Sequence, residues 1–349
     1  MVGDEDFRRG DLVRVRSARE ILSTLDDDGM VEGIPFMPEM IPYVDRQFRV
    51  SKRIEKICWY TPESSSRRLS NTVLLEDLRC DGTAHGGCQA ECRIYWKDDW
   101  IERVDATVPE QRSDPESVEE LRAFVAARTR TLNSFETGDE EVYRCQITES
   151  LHASTPVPNG GWWQYTGEFR NGNVGLARFL RVVLRLNVWR IAHRLGRRPG
   201  MPKLAGANHI DGEKLELEAG ELVEVRSPDE IGATLDSRGK HRGLAYSEEM
   251  TPACGKHFRV KNRVDRLIDE NTGRMIELKN DCIVLEGFVC SGDRSFGSVF
   301  CPREAYPLFR EAWLRRVEER KTALTRARAN GDRRPAAIAA ADSAADASD

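Results

Sequence analysis

The chain has 349 residues, of which 40% are hydrophobic and 32% are charged, a composition typical of a soluble protein with two or three domains. The net charge of −5 argues against nucleic-acid binding by the whole chain, which requires an excess of Lys and Arg. The first residues lack the basic and apolar regions of a secretory signal. We therefore expect a cytoplasmic protein, in which the nine cysteines are thiols or metal ligands and not disulfides.

The chain repeats itself at an offset of 210 residues, which places Gly10 opposite Gly220. Residues 10–57 align with residues 220–267 without a gap, and the match extends to Cys80 and Cys290. Such self-similarity indicates a duplicated unit. Further identical pairs in this alignment are Val13 with Val223, Glu39 with Glu249, Met40 with Met250, and Phe48 with Phe258.

Each copy is predicted to consist mainly of short strands. Residues 12–16 alternate apolar and polar side chains, which is typical of a half-buried strand. Ser17, with Glu20 three residues later, predicts a capped helix over residues 20–25. Residues 48–57 and 72–78 are predicted as further strands, so we expect a small barrel or sandwich in each copy.

Helices are predicted between and after the copies. Asp114 followed by Pro115 is a helix start, and a second helix is predicted from residue 174 to residue 195, before Gly196. Residues 154–173 are predicted as a loop and residues 303–329 as a last helix. The predicted organisation is α+β, with repeat 1 at 8–104, a helical linker at 105–215, repeat 2 with the C-terminal helix at 216–329, and a disordered tail at 330–349.

Four potential metal ligands lie within thirteen residues: Cys80, His85, Cys88 and Cys92. Three thiols and an imidazole are a ligand set for zinc, and the intervening glycines allow a tight loop. Cys58 and Cys145 are possible additional ligands, which leaves an iron–sulfur cluster open as an alternative. With the ungapped offset, Ser295 and Ser298 stand opposite His85 and Cys88, so the cluster of repeat 2 is predicted to be incomplete.

The segment from Cys80 to Cys92 and the two-copy layout are similar to those of a group of bacterial two-repeat proteins that carry a Cys/His cluster. That resemblance implies no particular activity. The opening segment of each copy, from Gly10 to Arg16 in the first, resembles the first strand of SH3-like barrels. The resemblance implies two homologous barrel-like domains.

The second linker helix is rich in arginine. Residues 174–200 contain no acidic residue, and such a basic helix with an apolar face can lie on an anionic membrane or contact another polyanion. The alternative is a helix packed between the repeats. The candidate contact residues are Arg178, Arg181, Arg185, Arg190 and Arg194.

These features predict a zinc-binding tandem-repeat protein that acts as an accessory or scaffold for a protein partner. An iron–sulfur redox enzyme or electron carrier is the first alternative. A membrane- or nucleic-acid-associated module that uses the arginine-rich helix is the second, with nucleic acid disfavoured by the net charge. We expect a cytoplasmic location, with peripheral membrane attachment possible, and whether the protein is an enzyme is left open.

Overall fold

The computed structural model describes residues 6–59, 65–105, 112–133, 140–157, 163–195, 202–204, 211, 214–294 and 299–317. Helices and short antiparallel strands alternate over these ranges, and the strands form several small sheets. The predicted α+β class is confirmed. Within these ranges no helix combines the length and the apolar composition that crossing a bilayer requires. The predicted C-terminal tail lies outside the described residues.

The first copy is organised around one open sheet. Its elements are β1 (Leu12–Val15), α1 (Ala18–Thr24), β2 (Met30–Val31), β3 (Ile34–Pro35), a 3-10 helix (Pro38–Tyr43), β4 (Gln47–Arg53), β5 (Ile57–Trp59), β6 (Ser65–Arg68), β7 (Thr72–Leu75), β8 (Trp96–Lys97), a 3-10 turn (Asp98–Trp100) and β9 (Ile101–Arg103). The sheet order is β8-β7-β4-β1-β9, and the described edge strands do not pair to close a barrel.

Local sequence signals account for the short helix of the first copy. The Ser17 side chain accepts from the amide of Glu20, and the Glu20 carboxylate accepts from the amide of Ser17 at 2.9 Å. This reciprocal pair satisfies amides that have no partner inside the helix. The predicted capped helix is therefore confirmed, with α1 starting one residue after Ser17.

The linker contains more structure than predicted. Its elements are α2 (Pro115–Ala126), β10 (Arg130–Asn133), β11 (Glu140–Tyr143), α3 (Gln146–Ala153), β12 (Thr155–Pro156), α4 (Trp163–Arg170) and α5 (Leu176–Arg194). Two predictions are confirmed, because α2 begins after an Asp114 cap and α5 covers the basic helix. The loop prediction for residues 154–173 is wrong, because β12 pairs with β6 and α4 forms after it.

The second copy repeats this order of elements, except that its described residues contain no counterpart of β8. It contains β13 (Leu222–Val225), α6 (Pro228–Gly232), β14 (Lys240–His241), β15 (Leu244–Ala245), a 3-10 helix (Glu248–Ala253), β16 (His257–Arg263), β17 (Arg266–Ile268), β18 (Met275–Glu277), β19 (Ile283–Leu285), a 3-10 turn (Glu311–Trp313) and β20 (Leu314–Arg316). Its main sheet has the order β19-β16-β13-β20.

The two main sheets share their strand register. β1 with β4 and β13 with β16 pair through residues that differ by 210. The pairing of β4 with β7 contains a register shift, and the pairing of β16 with β19 has the same shift at the equivalent position. The matched pairs include Val13–Phe48 with Val223–Phe258, and Val50–Leu75 with Val260–Leu285.

The predicted helix over residues 303–329 is wrong for its described part. Residues 311–313 form a 3-10 turn, and Leu314–Arg316 is an edge strand paired with β13. The turn buries Trp313 and the strand buries Leu314 in the core of the second copy. Tertiary pairing therefore overrides the helical pattern of the segment. Residues 318–329 lie outside the described residues.

The offset between the copies changes inside the cysteine-containing loop. The amide of Cys80 donates to the carbonyl of Cys92, and the amide of Cys290 donates to the carbonyl of Ala305. The first residues of these pairs differ by 290 − 80 = 210, and the second by 305 − 92 = 213. The loop of the second copy is therefore three residues longer. Ala305 stands in the place of Cys92, and Cys301 stands in the place of Cys88, which corrects the ungapped alignment of Ser298 with Cys88.

The two copies exchange equivalent contacts. The sulfur of Cys88 accepts from the amide of Ile268 at 3.4 Å. The sulfur of Cys301 accepts from the amide of Cys58 at 3.2 Å. Because Ile268 is the counterpart of Cys58, each loop rests on the same strand of the other copy. Such reciprocal contacts are the mark of an interface with approximate two-fold symmetry.

Each loop also forms an ion pair with the opposite copy. Glu91 in the first loop pairs with Lys261 of β16, and Glu304, its counterpart in the second loop, pairs with Lys52 of β4. Glu91 and Glu304 also share a positive φ, of 45° and 44°. The two loops therefore share a backbone turn at the glutamate, and each glutamate pairs with a lysine on the equivalent strand of the opposite copy, at positions one residue apart in register.

Candidate metal centre

Residues 80–92, the cysteine loop, form a compact turn closed by backbone hydrogen bonds. The carbonyl of Gly82 accepts from the amides of His85 and Gly87, both at 3.0 Å. Gly82 has a φ of +69°, and a Cβ there would lie 2.1 Å from the carbonyl oxygen of Cys88. The turn therefore requires glycine at this position, both for its backbone conformation and for space.

Glu39 lies beneath the cysteine loop, on the 3-10 helix Pro38–Tyr43. Its side chain is buried. Oε1 accepts from the amide of Ala84 at 3.0 Å and lies 2.7 Å from Nδ1 of His85. Among the residues that the structure describes, Oε2 has no hydrogen-bond partner. A buried carboxylate oxygen without a partner is unfavourable, so the site has capacity for one more positively charged or donating group.

His85 uses both of its ring nitrogens. Nε2 lies 3.0 Å from the carbonyl oxygen of Arg144. Because a carbonyl oxygen can only accept, Nε2 carries a hydrogen. Nδ1 faces Oε1 of Glu39 at 2.7 Å. The two contacts together fix the orientation of the ring, with Nδ1 towards the carboxylate.

Cys80 completes a group of three different ligand types. One ligand atom from each of Glu39, Cys80 and His85 lies within 4.8 Å of the others. Burial, together with the nearby Glu39 carboxylate, raises the pKa of the Cys80 thiol far above its usual range. The thiol therefore keeps its proton at neutral pH unless a cation replaces that proton.

The other two predicted ligands lie outside this group. The sulfur of Cys88 faces the second copy, where it accepts from the amide of Ile268. Cys92 packs against the core of the first copy, and burial raises the pKa of its thiol to about 12. The structure thus brings Cys80 and His85 together with Glu39, while the four-ligand set remains a prediction.

The possible additional ligands occupy separate positions. Cys145 precedes α3, and burial raises the pKa of its thiol to about 11. Cys58 lies on β5, with its sulfur 3.0 Å from that of Cys301. Neither belongs to the group around Glu39 within the described part of the chain.

The second copy has a carboxylate at the equivalent position, Glu249, with different hydrogen-bond donors. Glu249 accepts from the amide of Arg294 with Oε1, as Glu39 does from Ala84. Its Oε2 accepts from the hydroxyl of Ser291 at 2.8 Å. Both oxygens of Glu249 therefore have protein donors, whereas Oε2 of Glu39 has none among the described residues. The counterpart of His85, Ser295, lies outside the described residues.

A cleft between the copies reaches the candidate centre. Cys80 lies on its wall, which gives an ion from solvent a route to the ligand group. The second copy contributes Lys261 and Asn262 to this wall. The remaining lining residues are Arg79, Asp81, Cys88, Gln89 and Glu91.

Only some arginines of the helix α5 contact the second copy. Arg178 pairs with the carboxylate of Asp293, with a closest distance of 2.9 Å, and donates to the carbonyl of Ser291. Arg185 is half-buried, while Arg181 and Arg194 are exposed. The side chain of Arg190 lies outside the described residues.

The sequence reasoning missed Glu39. The signal was present, because Glu39 matches Glu249 in the repeat alignment and itself stands in a largely apolar segment. An acid kept in both copies at such a position indicates a buried, hydrogen-bonded carboxylate.

Comparisons with protein-family models, curated proteins and solved structures find no match to this chain.

Gly82→Ala should destabilise the first copy much more than Gly87→Ala. Both glycines have positive φ, but a Cβ at Gly87 would meet only a side-chain carbon of Arg266, at 3.9 Å. Gly87→Ala should therefore cost about 1–2 kcal/mol of unfolding free energy for its backbone conformation. Gly82→Ala adds the clash with Cys88, so we expect about 2–5 kcal/mol in total. Urea unfolding of the two variants measures this difference, and equal losses would show that the loop is not closed as described.

Proposed function

We propose that the protein binds one zinc ion in its first copy, through Glu39, Cys80 and His85. The observation that carries this proposal is the buried Oε2 of Glu39, which lacks a partner among the described residues and belongs to a carboxylate grouped with a thiol and an imidazole. A cation would satisfy the carboxylate and take the place of the thiol proton.

The donor set favours zinc over hard cations. Zinc takes thiolate, imidazole and carboxylate ligands, whereas calcium and magnesium take oxygen. Nδ1 of His85 is the candidate ligand atom, because Nε2 is held by the carbonyl of Arg144. Metal-bound histidines commonly donate their other ring N–H to such a carbonyl, which fixes the tautomer and the ring orientation.

A zinc ion held by these three residues would have one coordination position left for another ligand. Cys80 lies on the cleft wall, and three protein ligands with one open position is the pattern of zinc sites that bind water or substrate. Cys88 and Cys92 are the alternative source of a fourth ligand, as the sequence predicts. In either case zinc would join the cysteine loop to the 3-10 helix beneath it and contribute free energy to folding.

We also propose the finer organisation expected from the sequence. Two homologous, mainly-β units of SH3-like type would be joined by the helical linker, with the matched strand registers as support. In such a protein the second copy, which has a serine in the place of His85, would serve as a scaffold for the first copy and for a protein partner. A cytoplasmic location belongs to the same proposal.

Glu39→Gln and Cys80→Ser should each reduce bound zinc from one ion per chain to background. The matched controls are Glu249→Gln and Cys290→Ser, which make the same changes in the second copy and should leave the zinc content unchanged. Metal analysis of the purified full chain measures the stoichiometry.

Two outcomes would contradict this ligand set. Loss of zinc in Cys88→Ser or Cys92→Ser, with Glu39→Gln unaffected, would favour the Cys/His set read from the sequence. A brown anaerobic preparation with visible charge-transfer absorbance would replace zinc by an iron–sulfur cluster.

Zinc affinity should increase with pH. In the metal-free protein the Cys80 thiol is protonated, because burial and Glu39 raise its pKa. If zinc displaces this proton, each unit of pH increase strengthens binding by about tenfold. Competition with a chromophoric chelator over a pH series measures the slope, and a flat dependence would rule out displacement of the thiol proton.

A second candidate function rests on the outer face of α5. Six apolar residues are each between 57% and 69% exposed, and their spacing of three or four places them on one helical face. With 3.6 residues per turn, the exposed Arg181 falls beside one edge of this stripe and Arg194 at the other. The stripe consists of Leu176, Leu180, Leu184, Val188, Ile191 and Leu195.

We propose that this stripe lies on an anionic membrane surface. An apolar face bordered by arginines matches the acyl boundary and the acidic headgroups together. Two such faces from separate copies of the chain would bring their arginines together, which disfavours self-association. The protein would then attach peripherally to a membrane.

The double variant Leu184→Glu, Val188→Glu should abolish binding to vesicles that contain phosphatidylserine. Both residues are exposed, so the fold should tolerate the change. The matched control is Ile276→Glu, an exposed apolar residue of β18, which should bind as wild type does. Co-sedimentation at low and high salt measures the effect. Binding to oligonucleotides but not to vesicles, or to neither, would contradict the membrane proposal.

A further inference from the structure

Two buried thiols meet where the second loop rests on the first copy. The sulfur atoms of Cys58 and Cys301 lie 3.0 Å apart, although these residues are 243 positions apart in the chain. Cys58 is 4% exposed and Cys301 is 3% exposed. Cys58 belongs to β5, and its amide donates to the sulfur of Cys301 at 3.2 Å, which fixes the position of that sulfur.

Only one of the two symmetric contacts carries two thiols. In the other contact the sulfur of Cys88 meets the amide of Ile268, which has no thiol. The backbone contact is therefore sufficient to dock each loop, and the second sulfur at residue 58 is not required for docking. The additional thiol of Cys58 at this contact therefore needs a separate explanation.

A buried guanidinium stands beside the thiol pair. Arg303 donates to the carbonyl of Cys58 at 3.0 Å and forms an ion pair with Glu270 at 2.6 Å. Burial and the neighbouring Cys58 raise the pKa of the Cys301 thiol well above its usual range, and the positive charge of Arg303 opposes this increase without reversing it.

We propose that Cys58 and Cys301 are a redox-active pair that closes to a disulfide between the two copies when a peroxide is the oxidant. The thiolate of one cysteine attacks the O–O bond of hydrogen peroxide, which gives a sulfenic acid and, after protonation, one water. The thiolate of the other attacks the sulfenic sulfur and displaces hydroxide, which takes up a proton to give a second water. Two thiols and one peroxide thus become one disulfide and two waters.

The disulfide would fasten the two copies to each other. It would close a loop that spans most of the chain and would restrict the unfolded state accordingly. A dithiol reductant would restore the thiols by exchange. Because Cys58 and Cys301 lie outside the group around Glu39, the proposal does not depend on zinc.

The test is thiol counting on the native full chain. After brief exposure to hydrogen peroxide, the protein is denatured in N-ethylmaleimide, digested and analysed by mass spectrometry without reduction. We expect the number of alkylated thiols to fall from nine to seven, a linked peptide pair containing Cys58 and Cys301, and faster migration in a non-reducing gel. Dithiothreitol should reverse all three. Nine alkylated thiols after oxidation, or a linked pair that contains other cysteines, would overturn the proposal.

Single-cysteine variants distinguish a cross-link between Cys58 and Cys301 from oxidation of other cysteines. Cys58→Ser and Cys301→Ser should each prevent the mobility change. The matched control is Cys88→Ser, which alters the equivalent thiol of the other contact and should leave the linked pair intact. Cys254→Ser, in a residue that contacts the hydroxyl of Tyr246, is a second control. If Cys88→Ser abolishes the link in a folded protein, the cross-link does not belong to this contact.

Discussion

Glu39 and Glu249, two buried carboxylates at equivalent positions, each bind the cysteine-containing loop to the body of their copy. Glu39 accepts from the amide of Ala84 and Glu249 accepts from the amide of Arg294, so this contact is kept although the second loop is three residues longer. A carboxylate in such a position must have its charge compensated, because removing it from water is costly. In the second copy Ser291 supplies the remaining donor. In the first copy His85 and Cys80 stand beside Glu39, and these are ligand types for a metal. The two copies therefore satisfy equivalent buried carboxylates in different ways, and within the described residues the three-ligand group occurs in the first copy.

Reciprocal contacts of the two loops join the copies to each other. Each loop rests on the equivalent strand of the other copy, and Glu91 and Glu304 pair with lysines across the interface. Partly buried ion pairs of this kind add specificity of docking more than stability. The residues that the loop sulfurs meet differ between the two contacts, because Cys301 faces the thiol of Cys58 and Cys88 faces the backbone amide of Ile268.

The sequence predicts the local structure where the signal is local. Ser17 with Glu20 predicts α1, and Asp114 with Pro115 predicts α2, because capping depends on neighbours in the chain. The helix predicted over residues 303–329 is wrong where it is described, since the segment at Leu314 forms a strand only through its pairing with β13. Similarly, the group around Glu39 joins residues more than forty positions apart. The repeat alignment contained Glu39 and Glu249, but only the fold shows which atoms they face.

The second loop connects three features that are separate in the sequence. Phe300 stacks on Phe179 of α5 with ring centroids 5.8 Å apart, and Val299 packs against Val182 and Leu186 in the same cluster. The next residue, Cys301, meets Cys58 of the first copy. The inner face of α5 is therefore committed to the loop that carries the thiol pair, which is why its apolar residues on the opposite face remain exposed.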